Sequence, residues 1–158
     1  NVSLLSAVTN DEMYTVRKLI EEGVDINMRD EKGNSPLLVA LNSRYLTIAD
    51  FLLSKGADVT VSNNDGDTPL HYATDIGDIQ IVRKVLGGGC DIDAVNSDND
   101  SALMRAIDGY HFHIARLLLE RNAKVELPAH NRKGSCLHVA CEYSSEDLTA
   151  QLINAGLD

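Results

Sequence analysis

Three cysteines and five histidines are the side chains of this 158-residue chain best suited to catalysis or metal binding. Cys136, His138 and Cys141 lie close in sequence and offer thiolate and imidazole, ligands that zinc favours. On a helix, however, His138 and Cys141 point about 200° and about 140° away from Cys136. They cannot converge on one ion, and no metal is expected. Asn63-Asn64-Asp65-Gly66-Asp67 has the composition of a calcium loop, but the first ligand position would fall on Val61, which has no side-chain oxygen to give. Gly87-Gly88-Gly89 is not followed by the Lys-Ser/Thr pair that a phosphate loop needs. His71 and His138 invite an acid–base reading, but no nucleophile motif accompanies them. The expectation is a chain without catalytic residues, metal or cofactor.

The elements that carry these residues repeat. Leu4, Leu37, Leu70, Leu103 and Leu137 recur at steps of 33, 33, 33 and 34 residues. Each is followed, nineteen residues later, by Gly23, Gly56, Gly89, Asn122 or Gly156. A period near 33 means one supersecondary unit stacked in a row, with a core shared between neighbours. The third unit is the clearest. Thr68 before Pro69 reads as a hydroxyl N-cap followed by a proline at the first helical position. A short helix is expected from Pro69 to Ile76, a turn at Gly77, and a second helix capped by Asp78. The second helix carries Ile81, Val82, Val85 and Leu86 as its apolar stripe and ends at Gly89. Ala7, Ala40, Ala73, Ala106 and Ala140 fill one small slot in every unit, where only a methyl group lets two helices approach closely.

Ser35-Pro-Leu-Leu-Val-Ala, Thr68-Pro-Leu-His-Tyr-Ala and Ser135-Cys-Leu-His-Val-Ala resemble the signature of the ankyrin repeat. The resemblance covers essentially the whole chain. It implies an all-α solenoid of about five stacked helix-turn-helix units with protruding β-hairpin arms, the units running over residues 1–29, 30–62, 63–95, 96–129 and 130–158. It also implies that His71 and His138 are structural, hydrogen-bonded within and between units. The first unit lacks Thr-Pro, the fourth places Asn99 where Gly33 and Gly66 turn the arms, and one extra residue in 126–134 makes the last arm irregular. The final segment keeps the internal apolar pattern, as expected of a piece of a longer array.

Charge narrows the function. A net charge of −10 disfavours nucleic acid as a partner and favours basic protein surfaces. No run of apolar residues is long enough for direct membrane insertion. Three cysteines without a disulfide framework point to a reducing intracellular compartment, the cytoplasm, with the nucleus left open. Superimposing the units aligns Asp65 with Asp98, Asp67 with Asp100, and Asp75 with Asp108. These make acidic columns on the arms and inner helices, where like charges repel. Ile76, Tyr110 and Tyr143 fall beside them as apolar or aromatic anchors for cationic side chains. Lys32 and Arg132 frame the acidic centre. The expected function is a monomeric, non-catalytic scaffold or adaptor module. It binds a protein or peptide, with a basic segment, on its concave arm and inner-helix face. The alternatives are a structural spacer in a long array, or a regulatory segment of an enzyme or channel.

Overall fold

Eight short helices, all of six to nine residues, form among the residues described by the computed structural model, which are 3–125 together with 146, 150, 153 and 154. They are α1 (Leu4–Thr9), α2 (Met13–Glu21), α3 (Pro36–Asn42), α4 (Leu46–Ser54), α5 (Pro69–Ile76), α6 (Ile79–Gly87), α7 (Ala102–Asp108) and α8 (Phe112–Glu120). Helices this short are not stable alone in water, because nucleation costs more than a few hydrogen bonds return. Each first helix packs on its own second helix, and the first helices pack on one another in the order α1, α3, α5, α7. The second helices touch more loosely along the back. The fifth expected unit, 130–158, lies outside the described residues apart from isolated positions.

The first helices start alike for one reason. Ser3, Ser35, Thr68 and Ser101 sit in extended conformation, and each hydroxyl accepts the N–H of the residue three positions on. That satisfies one of the donors a helix start leaves unpaired. Pro36 and Pro69 follow at the first helical position. Ser3 and Ser101 supply the cap in the two described units that lack the proline. Among the described second helices only α6 has a side-chain cap, with Asp78 accepting the N–H groups of Gln80 and Ile81.

The core is the column foreseen from the period. Leu4, Leu37, Leu70 and Leu103 are buried, as are Ala7, Ala40, Ala73 and Ala106. Ile48, Ile81 and Ile114 close the column from the second helices. One slot breaks the chemistry. Val8, Leu41 and Ile107 occupy it in three units, but unit three places Thr74 there, fully buried, with its hydroxyl unpaired.

The described arms are tight turns with too little backbone pairing to count as strands. Among the described residues the only strand-like pairing is an isolated bridge between Val95 and Ser101. Each arm also keeps one backbone bond across it, from the N–H of Asp30, Asn63 and Asn96 to the carbonyls of Asn34, Asp67 and Asp100 at 3.1, 3.0 and 3.2 Å, and side chains close the tips further. Asp30 Oδ1 accepts the N–H groups of Lys32 and Asn34. Asn63 Oδ1 accepts those of Asp65 and Asp67, and Asn96 Oδ1 those of Asp98 and Asp100. Successive tips are joined by Asn64 N–H to the Lys32 carbonyl at 2.9 Å and by Ser97 N–H to the Asp65 carbonyl at 2.8 Å. Gly66 turns its tip with φ near 79°, and a Cβ there would stand 2.9 Å from the Asn96 Cα. It is glycine both for the turn and for the close approach of the next arm. Asn99 takes the same left-handed conformation in the following arm, as asparagine tolerates.

Two contrasts test the packing. Gly87 is helical with open space where a Cβ would stand, whereas a Cβ on Gly88 would meet Val59 Cγ2 at 2.5 Å. Gly87→Ala is expected to stabilise by up to about 1 kcal/mol, the usual helical advantage of alanine, and Gly88→Ala to destabilise, both read from urea melts. Thr74→Val keeps the shape and removes an unpaired buried hydroxyl. It is expected to stabilise by about 1 kcal/mol, and a lower melting temperature would show that the hydroxyl has a partner in solution.

Candidate interaction face

The inner helices and arms bring together one column from each unit. Ser6, Val39, Tyr72 and Arg105 occupy one inner-helix slot, and Thr9, Asn42, Asp75 and Asp108 the slot one turn on. The face therefore grades from neutral in units one and two to strongly charged in units three and four. A hollow of about 390 Å³ opens at the neutral end, lined by Thr9, Asp30, Lys32, Asn34, Val39 and Asn42 among others.

The acids expected to form continuous columns divide into two kinds. Asp65 and Asp98 are exposed on successive arm tips. Asp67 and Asp75 are not left to repel their neighbours, because Arg105 from α7 lies between them. Its Nη2 donates to Asp67 Oδ1 and its Nη1 to Asp75 Oδ2, each at 2.7 Å. Asp67 is 14% exposed, Arg105 18%, and Asp75 42%. Asp67 Oδ1 also accepts Asn96 Nδ2 at 3.0 Å, and Asp67 Oδ2 accepts the Tyr72 hydroxyl at 3.3 Å. Tyr72 in turn accepts Asn63 Nδ2, which also reaches Asn34 Oδ1. A continuous polar ladder thus runs across three units, from Asn34 through Asn63, Tyr72, Asp67 and Arg105 to Asp75.

This ladder corrects the expectation of simple like-charge columns at these slots. Charge-assisted hydrogen bonds to a guanidinium replace the repulsion. Aligning aspartate with aspartate does not reveal Arg105. The signal was present in the same alignment: a cation stands one slot from the acids, in a row otherwise held by Ser6, Val39 and Tyr72. Burial, and then the Asp67 charge, hold the Tyr72 hydroxyl above its ordinary range. Burial also raises the Asp75 carboxyl against the opposing pull of Arg105.

The remaining expected site residues fall as follows. Lys32 is exposed on the arm tip of unit two, Asp108 is exposed on α7, and Asp100 is half-buried at an arm base. Ile76 is half-buried and packs against the core rather than standing out as an anchor. Tyr110 is 56% exposed, its ring edge-on to Phe112 at 6.2 Å. Its φ of 59° is unusual for a bulky residue. Arg132 and Tyr143 lie outside the described residues, as do Cys136, His138 and Cys141. Among the described residues no three His, Cys, Asp or Glu side chains gather as metal ligands, and no helix is long and apolar enough to cross a membrane.

His71 is a fastener between units. The Thr68 N–H donates to Nδ1 at 3.1 Å, so the neutral ring carries its proton on Nε2, which donates to the Asp100 carbonyl of the next unit at 2.8 Å. His71 and Thr68 thereby cap α5 reciprocally.

A family model described as ankyrin repeats, three copies, matches residues 4–94 and again 75–158. Capped helix pairs stacked at this period and a family match over nearly the whole chain give one conclusion: the chain belongs to the ankyrin-repeat family. No curated protein sequence matches it.

Two outcomes test the fastener. Thr68→Ala removes the cap and half of the reciprocal pair, and is expected to cost about 0.5–2 kcal/mol in urea melts. Burial lowers the His71 pKa from its ordinary 6.5. Between that value and the lowered one the unfolded chain binds a proton that the folded chain does not. The stabilisation is full above 6.5 and is lost as pH falls through the window. Urea melts across this range should show stability declining on acidification, with a shallower decline for His71→Asn. Equal slopes would remove His71 from the titration.

Proposed function

We propose that this chain is a non-catalytic interaction module that binds a basic protein segment along its concave arm and inner-helix face. Ankyrin repeats are in general protein–protein interaction modules. The observation that carries the finer reading is the pair Asp65 and Asp98. They stand exposed on successive arm tips, in register one unit apart, and neither side chain forms an ion pair among the described residues. The exposed Asp108 extends the acidic surface onto α7, and the exposed Tyr110 ring beside it can receive a cationic side chain on its face. At the other end, Lys32 and the hollow beside Val39 suit an acidic or small apolar group of the same segment. Complementarity of this kind sets register and encounter rate more than raw affinity.

Affinity capture followed by titration of the recovered partner is the test. Asp65→Asn combined with Asp98→Asn should weaken binding severalfold and leave the fold intact. Affinity should also fall with added salt, because exposed ion pairs are screened within about 8–10 Å at physiological ionic strength. Charge reversal at Arg83 and Lys84, exposed on α6 where Lys84 also pairs with Asp50 of α4, should change partner affinity little. Unchanged affinity in the double variant would end the acidic-tip reading. Loss confined to the Arg83 and Lys84 variant would move the site to the convex back.

A further inference from the structure

Arg105 makes an arrangement more specific than a salt bridge. Asp67 sits at the base of an arm and Asp75 on α5, and each takes a different amino group of one guanidinium at 2.7 Å. A planar fork with two outward N–H edges can span two carboxylates at once, which a compact ammonium group cannot do as well. The Asp67 carboxylate is oriented independently of Arg105, by Asn96 Nδ2 and the Tyr72 hydroxyl. The equivalent slots in unit two hold Asn34 and Asn42, and the residue that would reach back to them from unit three is Tyr72. Units three and four therefore build this device where units two and three do not.

We propose that Asp67 and Asp75 form a seat for a guanidinium group, that Arg105 fills it from within the chain, and that Arg105 thereby guards the acidic face against arginine-rich segments. This rests on the reading that the concave face receives a basic partner. With the seat filled, a partner's cations are directed outward to Asp65 and Asp98. Arg105 then determines how strongly, and with what preference for arginine over lysine, the face binds.

The probes are nona-arginine and nona-lysine peptides, titrated calorimetrically at low salt into the wild-type chain and into Arg105→Ala, Arg105→Lys, Arg83→Ala and Arg83→Lys. Arg83→Ala makes the same change in net charge at an exposed position of α6, away from the Asp67–Arg105–Asp75 contacts. Arg105→Ala should raise nona-arginine affinity severalfold more than Arg83→Ala does, and should raise it more for nona-arginine than for nona-lysine. Arg105→Lys, whose ammonium spans the two carboxylates less well, should fall between wild type and alanine. Should circular dichroism show Arg105→Ala to be unfolded, Arg105→Lys decides against Arg83→Lys, both of unchanged net charge, in the same way. Equal gains at positions 105 and 83, equal gains for the two peptides, or a loss of affinity with helicity retained would overturn the seat. Binding by the wild type without any Arg105 effect removes the seat alone. No binding of either peptide to any folded form removes the basic-partner reading and the seat with it.

Discussion

No unit in this chain can cover its own apolar surface, and the rest of the structure follows from that constraint. A pair of helices of six to nine residues buries a leucine and an alanine between them but leaves flat faces on both sides. Only the next pair can take those faces out of water, and burial of this kind is the dominant favourable term available. The alanine slot fixes how near the first helices can lie. The leucine column fixes their order. Local devices such as the hydroxyl caps and Pro36 and Pro69 lower the cost of starting each helix, but they do not by themselves hold it folded.

The polar ladder depends on that spacing. Arg105 reaches Asp67 and Asp75, and His71 reaches the Asp100 carbonyl, because stacking brings adjacent units into fixed register. The same register sets the tips side by side, so that the Asp65 carbonyl accepts both the N–H and the hydroxyl of Ser97 while the Asp65 carboxylate remains exposed. The backbone of the arms is consumed in holding the stack, and the side chains at the tips are left to meet a partner. An interaction surface on a repeat protein is in this sense a by-product of its packing. Each unit contributes the same few outward positions, and the residues found there set the charge and shape offered.

Much of this was legible in the residues. The helix from Pro69 to Ile76, the Asp78 cap and the turn at Gly77 are all found as expected, because caps, proline and glycine act within a few residues of themselves. The burial of the leucine and alanine columns follows from period alone. What escaped was chemistry that crosses the interface. Arg105 and Asp67 are thirty-eight positions apart, and nothing local marks them as partners. Thr74 has the volume of valine and so fits the apolar periodicity while breaking it chemically. The arms were expected as paired strands. Each arm keeps a single backbone bond across it, and Asp30, Asn63 and Asn96 also fold their side chains back on their own backbones, a local hydrogen bond that competes with a longer ladder. Ile76 illustrates a further limit: at the end of a short helix, one residue's rotation separates an exposed anchor from a core contact.

The dependence of every unit on its neighbours can be measured on the best-formed one. A peptide comprising residues 63–95 alone contains the Thr68 cap, Pro69, the left-handed Gly77 and the Asp78 cap, and lacks only adjacent units. Its circular dichroism on heating should show little helix and no cooperative transition, while the 158-residue chain shows both helix and a cooperative melt. A helical peptide that melts cooperatively would contradict the claim that shared burial between units, and not the signature residues of each unit, holds this structure together.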